Sequence, residues 1–377
     1  MNLGPLEGVR VLELCSNVAG PVAGTLLADL GAEVIKIERP EGDDARRYGS
    51  MRLGGQAPSF TALNRNKASV VIDFTNADDM AALLDLVRQA DVLIHNLRPG
   101  VIESIGLGGP EALALNPRLI FGAISGYGSV GPMASWPGYD SMAQGLAGVA
   151  MCNGEPDGKP CVAVGGPVDK GSGVFLATVV CSALYQRERT GRGAIIATSL
   201  LETALTYVNL LAAQYEASGT PPARWGSRAP TMVPSDCYAT KDGFILLTCA
   251  NDGLFRRLAK ALNRPEWLED PEFASNPLRV ANRDRLEALL AEAIAEWQRD
   301  ELVSLLTANG VPCAPVLGVD EARHHPQVEA LGIFEPLPDG SGKVLGPAWT
   351  IDGRRAPIRR GPPRLGEDTA AILGRPQ

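Results

Sequence analysis

Short apolar runs alternate with longer helical ones through the first two hundred residues. Val9–Leu14 and Glu33–Glu38 (EVIKIE) read as strands, and the apolar Pro21–Leu30 between them reads as a helix. Strand, helix and strand in this order form a βαβ unit, the building block of a parallel sheet. Asn64–Phe74 (NRNKASVVIDF) predicts a basic turn followed by a buried strand, and Ala77–Gln89 an amphipathic helix. Val92–Gly100 (VLIHNLRPG) predicts a strand ending in a loop, and Leu119–Ile124 a further strand. Gly171–Tyr185 is apolar almost all round, as a buried helix would be; Arg187, Arg189 and Arg192 with Thr190-Gly191 supply its stop. Ala194–Ser199 reads as a strand and Leu200–Ser218 as an apolar helix with Glu202 near its start.

The pattern changes after residue 218. Gly219–Pro234 (GTPPARWGSRAPTMVP) is dense in Pro, Gly and Arg and reads as a linker. Beyond it, DCYATKDGFILLTCAND predicts a hairpin turning near Lys241-Asp242-Gly243, with helices at Leu254–Leu262, Arg283–Trp297 and Asp300–Ala308. The expected fold class is therefore α/β, with a large Rossmann-like α/β domain and a smaller α+β domain. The expected boundaries are 1–218 for the large domain, 219–234 for the linker, 235–326 for the small domain, and 327–377 as a return to the large one.

Composition narrows the function. The 377 residues are 45% hydrophobic and only 5% aromatic, enough for two cores. A formal net charge of −8 argues against a general nucleic-acid or anionic-membrane binder. There is no signal-peptide pattern and no apolar run of about 18 residues, so a cytoplasmic protein is expected. Seven scattered cysteines without a CxxC pair read as reduced thiols. With three histidines and no HExxH or Cys/His cluster, no metal site is expected, and a Ser-His-Asp hydrolase is poorly supplied with bases. His95 reads as a structural strand-end residue, His324-His325 as capping or surface groups, and Met142 and Met151 as core.

Asp169 is the one carboxylate in the glycine-rich approach to the apolar helix. Just before a helix start it has two readings. It caps the helix, or it is a nucleophile kept ionised by the helix N–H groups and macrodipole. The first βαβ turn reads AGPVAG rather than GxGxxG, which weakens a dinucleotide-dependent oxidoreductase reading. Arg39, directly after the second strand, suits a ribose phosphate or a salt bridge with Glu38 or Glu41. Asn96, Leu97 and Arg98 follow a strand at the sheet edge where ligands bind in open α/β folds.

Three long stretches carry a resemblance: LEGVRVLELCSNVAGPVAGTLLADLGAEVIKIERPEGDDARRYG from Leu6, NPRLIFGAISGYGSVGPMASWPGYDSMAQGLAG from Asn116, and VGGPVDKGSGVFLATVVCSALYQRERTGRG from Val164. From Leu6 to about Gly366 the chain resembles the class III CoA-transferases, which include formyl-CoA transferase, carnitine CoA-transferase and the α-methylacyl-CoA racemases. The resemblance implies an enzyme that moves coenzyme A from an acyl-CoA donor to a carboxylic acid acceptor through aspartyl anhydride and aspartyl-CoA thioester intermediates on Asp169. It also implies a CoA site with Arg39, Asn96, Leu97 and Arg98, and a substrate pocket with Tyr139, Asp140 and Gln144. Gly165-Gly166 or Gly171-Ser172 are the expected oxyanion donors. No metal or redox cofactor is needed, since CoA is a substrate. The implied assembly is an interlocked-ring homodimer.

The chain departs from that pattern at several places. Ser104 stands where many members carry Arg, and Ala229 where many carry His. No glycine run marks a lid, and Ala250-Asn251-Asp252-Gly253 is the nearest candidate. Tyr139 replaces the histidine of the racemases, and a phenol of pKa about 10 is a poor base at neutrality. A 2-methylacyl-CoA racemase or epimerase and a non-catalytic CoA-binding protein remain the alternative readings.

Overall fold

The computed structural model describes residues 4–375. Its first unit comprises residues 4–150, 162–219 and 327–375 of the described chain. Six parallel strands form its sheet: β1 Arg10–Leu14, β2 Glu33–Glu38, β3 Lys67–Val71, β4 Val92–His95, β5 Ile120–Ser125 and β6 Ala194–Ser199, in the order 3-2-1-4-5-6. This is the doubly wound order, which reverses direction between β1 and β4 and leaves a crevice beyond their carboxyl ends. Register confirms the parallel pairing, with Leu12 opposite both Ile35 and Leu93.

Because the sheet is covered on both faces, successive strand residues feed two cores. Val11, Val92, Ile94 and Ile120 pack on one side with helices α1 (Ala19–Asp29) and α5 (Pro167–Thr190). Leu12, Ile35, Leu93 and Phe121 pack on the other with Leu83 and Val87 of α2 (Ala77–Gln89). Asn76 caps α2, its side-chain oxygen accepting the N–H groups of Asp78 and Asp79, which satisfies two of the orphan donors of that helix start. The other helices that matter here are α3 (Gly109–Leu115), α4 (Asp140–Leu146), α6 (Leu200–Tyr207) and α7 (Asn209–Ser218).

Two elements differ from expectation. The long helix α5 starts at Pro167, four residues before the apolar periodicity does, because Pro at the first helical position is preorganised for the turn that follows. The single helix expected over 200–218 is two, broken at Val208.

The C-terminal segment joins the sheet edge at β3. Ser69 N–H donates to Asp368 Oδ2, Val71 N–H donates to Thr369 Oγ1, and Arg360 pairs with Asp368.

The second unit holds residues 151–161 and 220–326. Its antiparallel sheet of β7 Ser235–Ala239, β8 Phe244–Thr248 and β9 Cys313–Val316 shares a core with helices α8 (Asp252–Ala261), α9 (Arg283–Ala295) and α10 (Arg299–Ala308). Residues 151–161 lie here rather than with the large domain where sequence placed them. The cause is Arg224, whose guanidinium donates to the carbonyls of Glu155, Pro156 and Gly158, while Gly226 N–H donates to Gly154 O. A final two-stranded ribbon, β10 Phe334–Pro336 with β11 Lys343–Leu345, belongs to the first unit. Among the described residues no helix is long and apolar enough to cross a membrane.

Candidate active site

Asp169 sits inside the first turn of α5, and the helix is capped by another residue. Asp140, at the start of α4, accepts the N–H groups of Val168 (2.8 Å) and Asp169 (3.0 Å) on Oδ2. Its Oδ1 accepts from the Gln144 amide, one turn along α4. Gln144 is fully buried and spends its remaining groups on Ala163, donating to that carbonyl and accepting that N–H at 2.8 Å. The approach loop and the helix start are therefore locked together by Asp140 and Gln144.

This arrangement overturns both sequence readings of how Asp169 is held. It does not cap the helix, and the helix N–H groups do not stabilise its charge. The half-buried Asp169 carboxylate has no hydrogen-bond or ion-pair partner among the described residues. Burial first, and then the charge of Asp140, push its pKa from 3.8 up to about 6. An under-solvated carboxylate without a partner of its own is still ionised at neutral pH, and it is more reactive than a capping one.

Nearby donors are also left over. Gly165 and Gly166 both adopt left-handed backbone (φ 85° and 64°), and their N–H groups have no acceptor among the described residues. A side chain would be strained at either position. The other expected pair, Gly171 and Ser172, lies within the helix, so their N–H groups serve the helix ladder rather than an oxyanion. Ser172 is buried, and its hydroxyl donates to Val168 O and is hydrogen-bonded to the Thr203 hydroxyl, pinning α5 to α6. Tyr207 Oη donates to Pro167 O at 2.8 Å. Tyr139, the residue before α4, is 56% exposed.

At the same end of the sheet, the crevice between β1 and β4 is closed by a reciprocal pair. Asn96 Nδ2 donates to Ser16 O (2.8 Å) and Ser16 N–H donates to Asn96 Oδ1 (2.9 Å). Asn96 thus shapes the β1–α1 loop with its whole amide. Leu97 is half-buried against the second core. Arg98 and Arg39 are exposed, and neither guanidinium has a partner among the described residues. The salt bridge considered for Arg39 is not formed with Glu38, because that carboxylate is taken by Arg46 (2.6 Å) and the Ser69 hydroxyl. Ser104 turns its hydroxyl back to Val101 O. The α5 N-terminus meets this loop because Gly173, one turn past Asp169, packs on α1: a Cβ there would come 2.5 Å from Ala19 O.

Comparison with known proteins decides what this geometry belongs to. The model of CoA-transferase family III matches residues 6–369. The chain belongs to CoA-transferase family III. It is 39% identical over 373 residues to acetyl-CoA:oxalate CoA-transferase of Acetobacter aceti, covering 98% of this chain and 95% of that one. It is 36% identical over 379 residues to succinate–glutarate CoA-transferase of Agrobacterium fabrum, covering 98% and 95%. A CaiB/BaiF family protein from Brucella suis has the same fold, with a TM-score of 0.91 at 36% identity and 99% of each chain covered.

In this transferase the β1–α1 loop stands on a buried charge cluster that the sequence did not reveal. Lys36 Nζ lies 3.0 Å from Glu13 Oε1 and 2.9 Å from Asp43 Oδ2, and Lys67 Nζ lies 2.7 Å from Glu13 Oε2; all the Lys36, Lys67 and Glu13 side chains are fully buried. Burial alone would discharge Lys36, but Glu13 and Asp43 outweigh it and hold the ammonium charged. Asp43 Oδ1 in turn accepts Asn17 N–H at 3.0 Å, and Tyr48 Oη donates to Asn17 Oδ1. Lys36 lies on a strand buried from Val34 to Glu38, so its ammonium is enclosed with its partners. The lid candidate Ala250–Gly253 is a capped helix start: Asn251 accepts Leu254 N–H, and Asp252 pairs with Arg279. His95 is buried against Phe121, and burial lowers its pKa to about 4, so it stays neutral.

Proposed function

We propose that this transferase moves coenzyme A between an acyl-CoA donor and a carboxylic acid acceptor, with Asp169 as the covalent nucleophile. The observation that carries the reading is a carboxylate at a helix start with no partner of its own, beside two unpaired glycine N–H groups. An Asp169 oxygen attacks the donor acyl carbon, the C–S bonding pair leaves on CoA thiolate, and a mixed anhydride forms. The thiolate attacks Cγ of residue 169 and expels the donor acid, leaving an aspartyl-CoA thioester. The acceptor carboxylate reverses the two steps and restores Asp169. Gly165 and Gly166 N–H groups supply the oxyanion donors. The reaction as written needs no metal or redox cofactor.

Arg39 and Arg98, exposed and unpaired at the carboxyl ends of β2 and β4, meet the CoA phosphates, while Asn96 and Leu97 shape the crevice between. Tyr139 lines the acyl pocket, with Asp140 and Gln144 forming its floor. Oxalate, succinate and glutarate, the acids in the relatives' names, are the first acceptors to test. A reducing cytoplasmic setting suits the seven unpaired cysteines.

The acting unit is a homodimer. Helix α7 buries no residue although it carries Leu210 and Tyr215, and the outer face of α5 exposes Val174, Phe175, Val179 and Tyr185. Apolar surface on this scale needs a cover, and a second copy, interlocked as in the resembled family, supplies it.

The mechanism has an isotopic signature. With acceptor acid labelled with ¹⁸O in its carboxylate, each turnover leaves one label on Asp169, and donor acid released in later turnovers carries it away. Label in the donor acid over many turnovers is expected. Transfer without such label contradicts an aspartyl route.

A further inference from the structure

Two carboxylates stand at the start of α5, and only one of them holds the helix. Asp140 Oδ2 takes the N–H groups of Val168 and Asp169, while Gln144 fixes its other oxygen. The donors that would steady an anion at this helix start are thereby spent on residue 140. From this geometry we infer that Asp140 is a positioning residue for the transfer: it keeps Asp169 uncapped and sets a fixed negative charge beside it, so the free carboxylate is destabilised relative to its acylated forms. The inference rests on the nucleophilic role proposed for Asp169.

The chemistry gives that repulsion a direction. When Asp169 bonds to the acyl carbon and CoA thiolate leaves, residue 169 becomes a neutral anhydride. When the thiolate attacks Cγ and the donor carboxylate leaves, it becomes a neutral thioester. Either covalent form removes the clash with Asp140, and either return to free carboxylate restores it. Asp140 thus favours the covalent enzyme through its charge, while its oxygens stay bonded to Val168, Asp169 and Gln144.

Among the described residues no other charge packed against this turn does the same. Strands β5 and β6 carry no titratable side chain. In α1 the one ionisable residue, Asp29, lies at the far end and pairs with Arg65. In α6 the Ser199 hydroxyl donates to Glu202, and Tyr207 donates to Pro167 O. Tyr139 precedes Asp140 and is exposed, and Lys170, next along α5, is exposed as well. Burial and then Asp140 are what raise Asp169.

The test is the pH dependence of Asp169 acylation by a donor acyl-CoA, read as the hydroxamate formed at residue 169 when samples equilibrated at each pH are quenched into hydroxylamine at one fixed pH. Wild-type labelling is expected to rise through an inflection near 6. Asp140→Asn keeps an oxygen for the two N–H groups and removes the charge. It should move the inflection down by about one pH unit and lower the acylated fraction at equilibrium about tenfold. An unchanged inflection and fraction in that variant overturn the inference. So does a wild-type inflection near the ordinary carboxylate value of about 4, which needs no variant at all. Absence of label on wild-type Asp169 at every pH overturns this inference together with the nucleophile reading, whereas label with an ordinary inflection overturns this inference alone.

Discussion

Charging Asp169 weakens the fold, and the sign of that effect separates a reactive group from a capping one. A carboxylate whose folded pKa lies above its unfolded one carries no penalty below about pH 4. The penalty grows up to about pH 6 and is complete above it. A rise from 3.8 to about 6 corresponds to at most about 3 kcal/mol, less for a side chain that water partly reaches. Asp169→Asn should therefore raise stability by about 1–2 kcal/mol at pH 7.5 in denaturant melts, show no gain at pH 4, and abolish transfer. Loss of stability at neutral pH would restore the capping reading. Glu38 and Asp43 behave oppositely. Burial pushes both upward, but Arg46 for Glu38 and Lys36 for Asp43 outweigh it, so their contribution is present at neutral pH and is lost as pH falls through their lowered values. At this scale the sequence pointed to Asp169 but misjudged what holds it, because the capping Asp140 is 29 residues away. Met142 and Met151, taken for core, are exposed: the burial of a methionine depends on layers that local pattern does not record.

Helix α5 brings the nucleophile to the crevice, and its glycines set how closely it lies on its neighbours. Gly173 faces the backbone of α1, where a Cβ would meet Ala19 O and Val22. Gly171 faces the tip of Tyr207, a movable side chain. Gly173→Ala should cost roughly 1–3 kcal/mol and reduce transfer, while Gly171→Ala should cost less, since a rotating phenol yields where a helix backbone does not. Thermal melts of the two variants check the ranking, and equal costs would mean that α1 shifts freely. Strands β1 to β6, helices α1 and α2 and the body of α5 were legible from apolar periodicity, whereas the short helices α3 and α4 were not read. The N-terminus of α5 was not, because its first turn, Pro167 to Lys170, is polar and adjoins glycines. The break at Val208 left no Gly or Pro signal either.

For the whole molecule, the doubly wound sheet followed from alternation of strand and helix, and residues 327–375 are tied to it by Asp368 and Thr369 at β3. The placement of 151–161 in the second unit depends on Arg224, a contact across more than sixty residues that composition could not disclose. Apolar α7 and the outer face of α5 predict a dimer. Sedimentation should give twice the 377-residue mass at micromolar concentration, and a stable monomer would remove the second copy as their cover. The central claim concerns one carboxylate. Incubating the pure protein with a panel of acyl-CoA thioesters, trapping with hydroxylamine and mapping peptides tests it most directly: a hydroxamate on Asp169 is expected, and bound CoA with no modification of Asp169 by any donor would contradict covalent transfer.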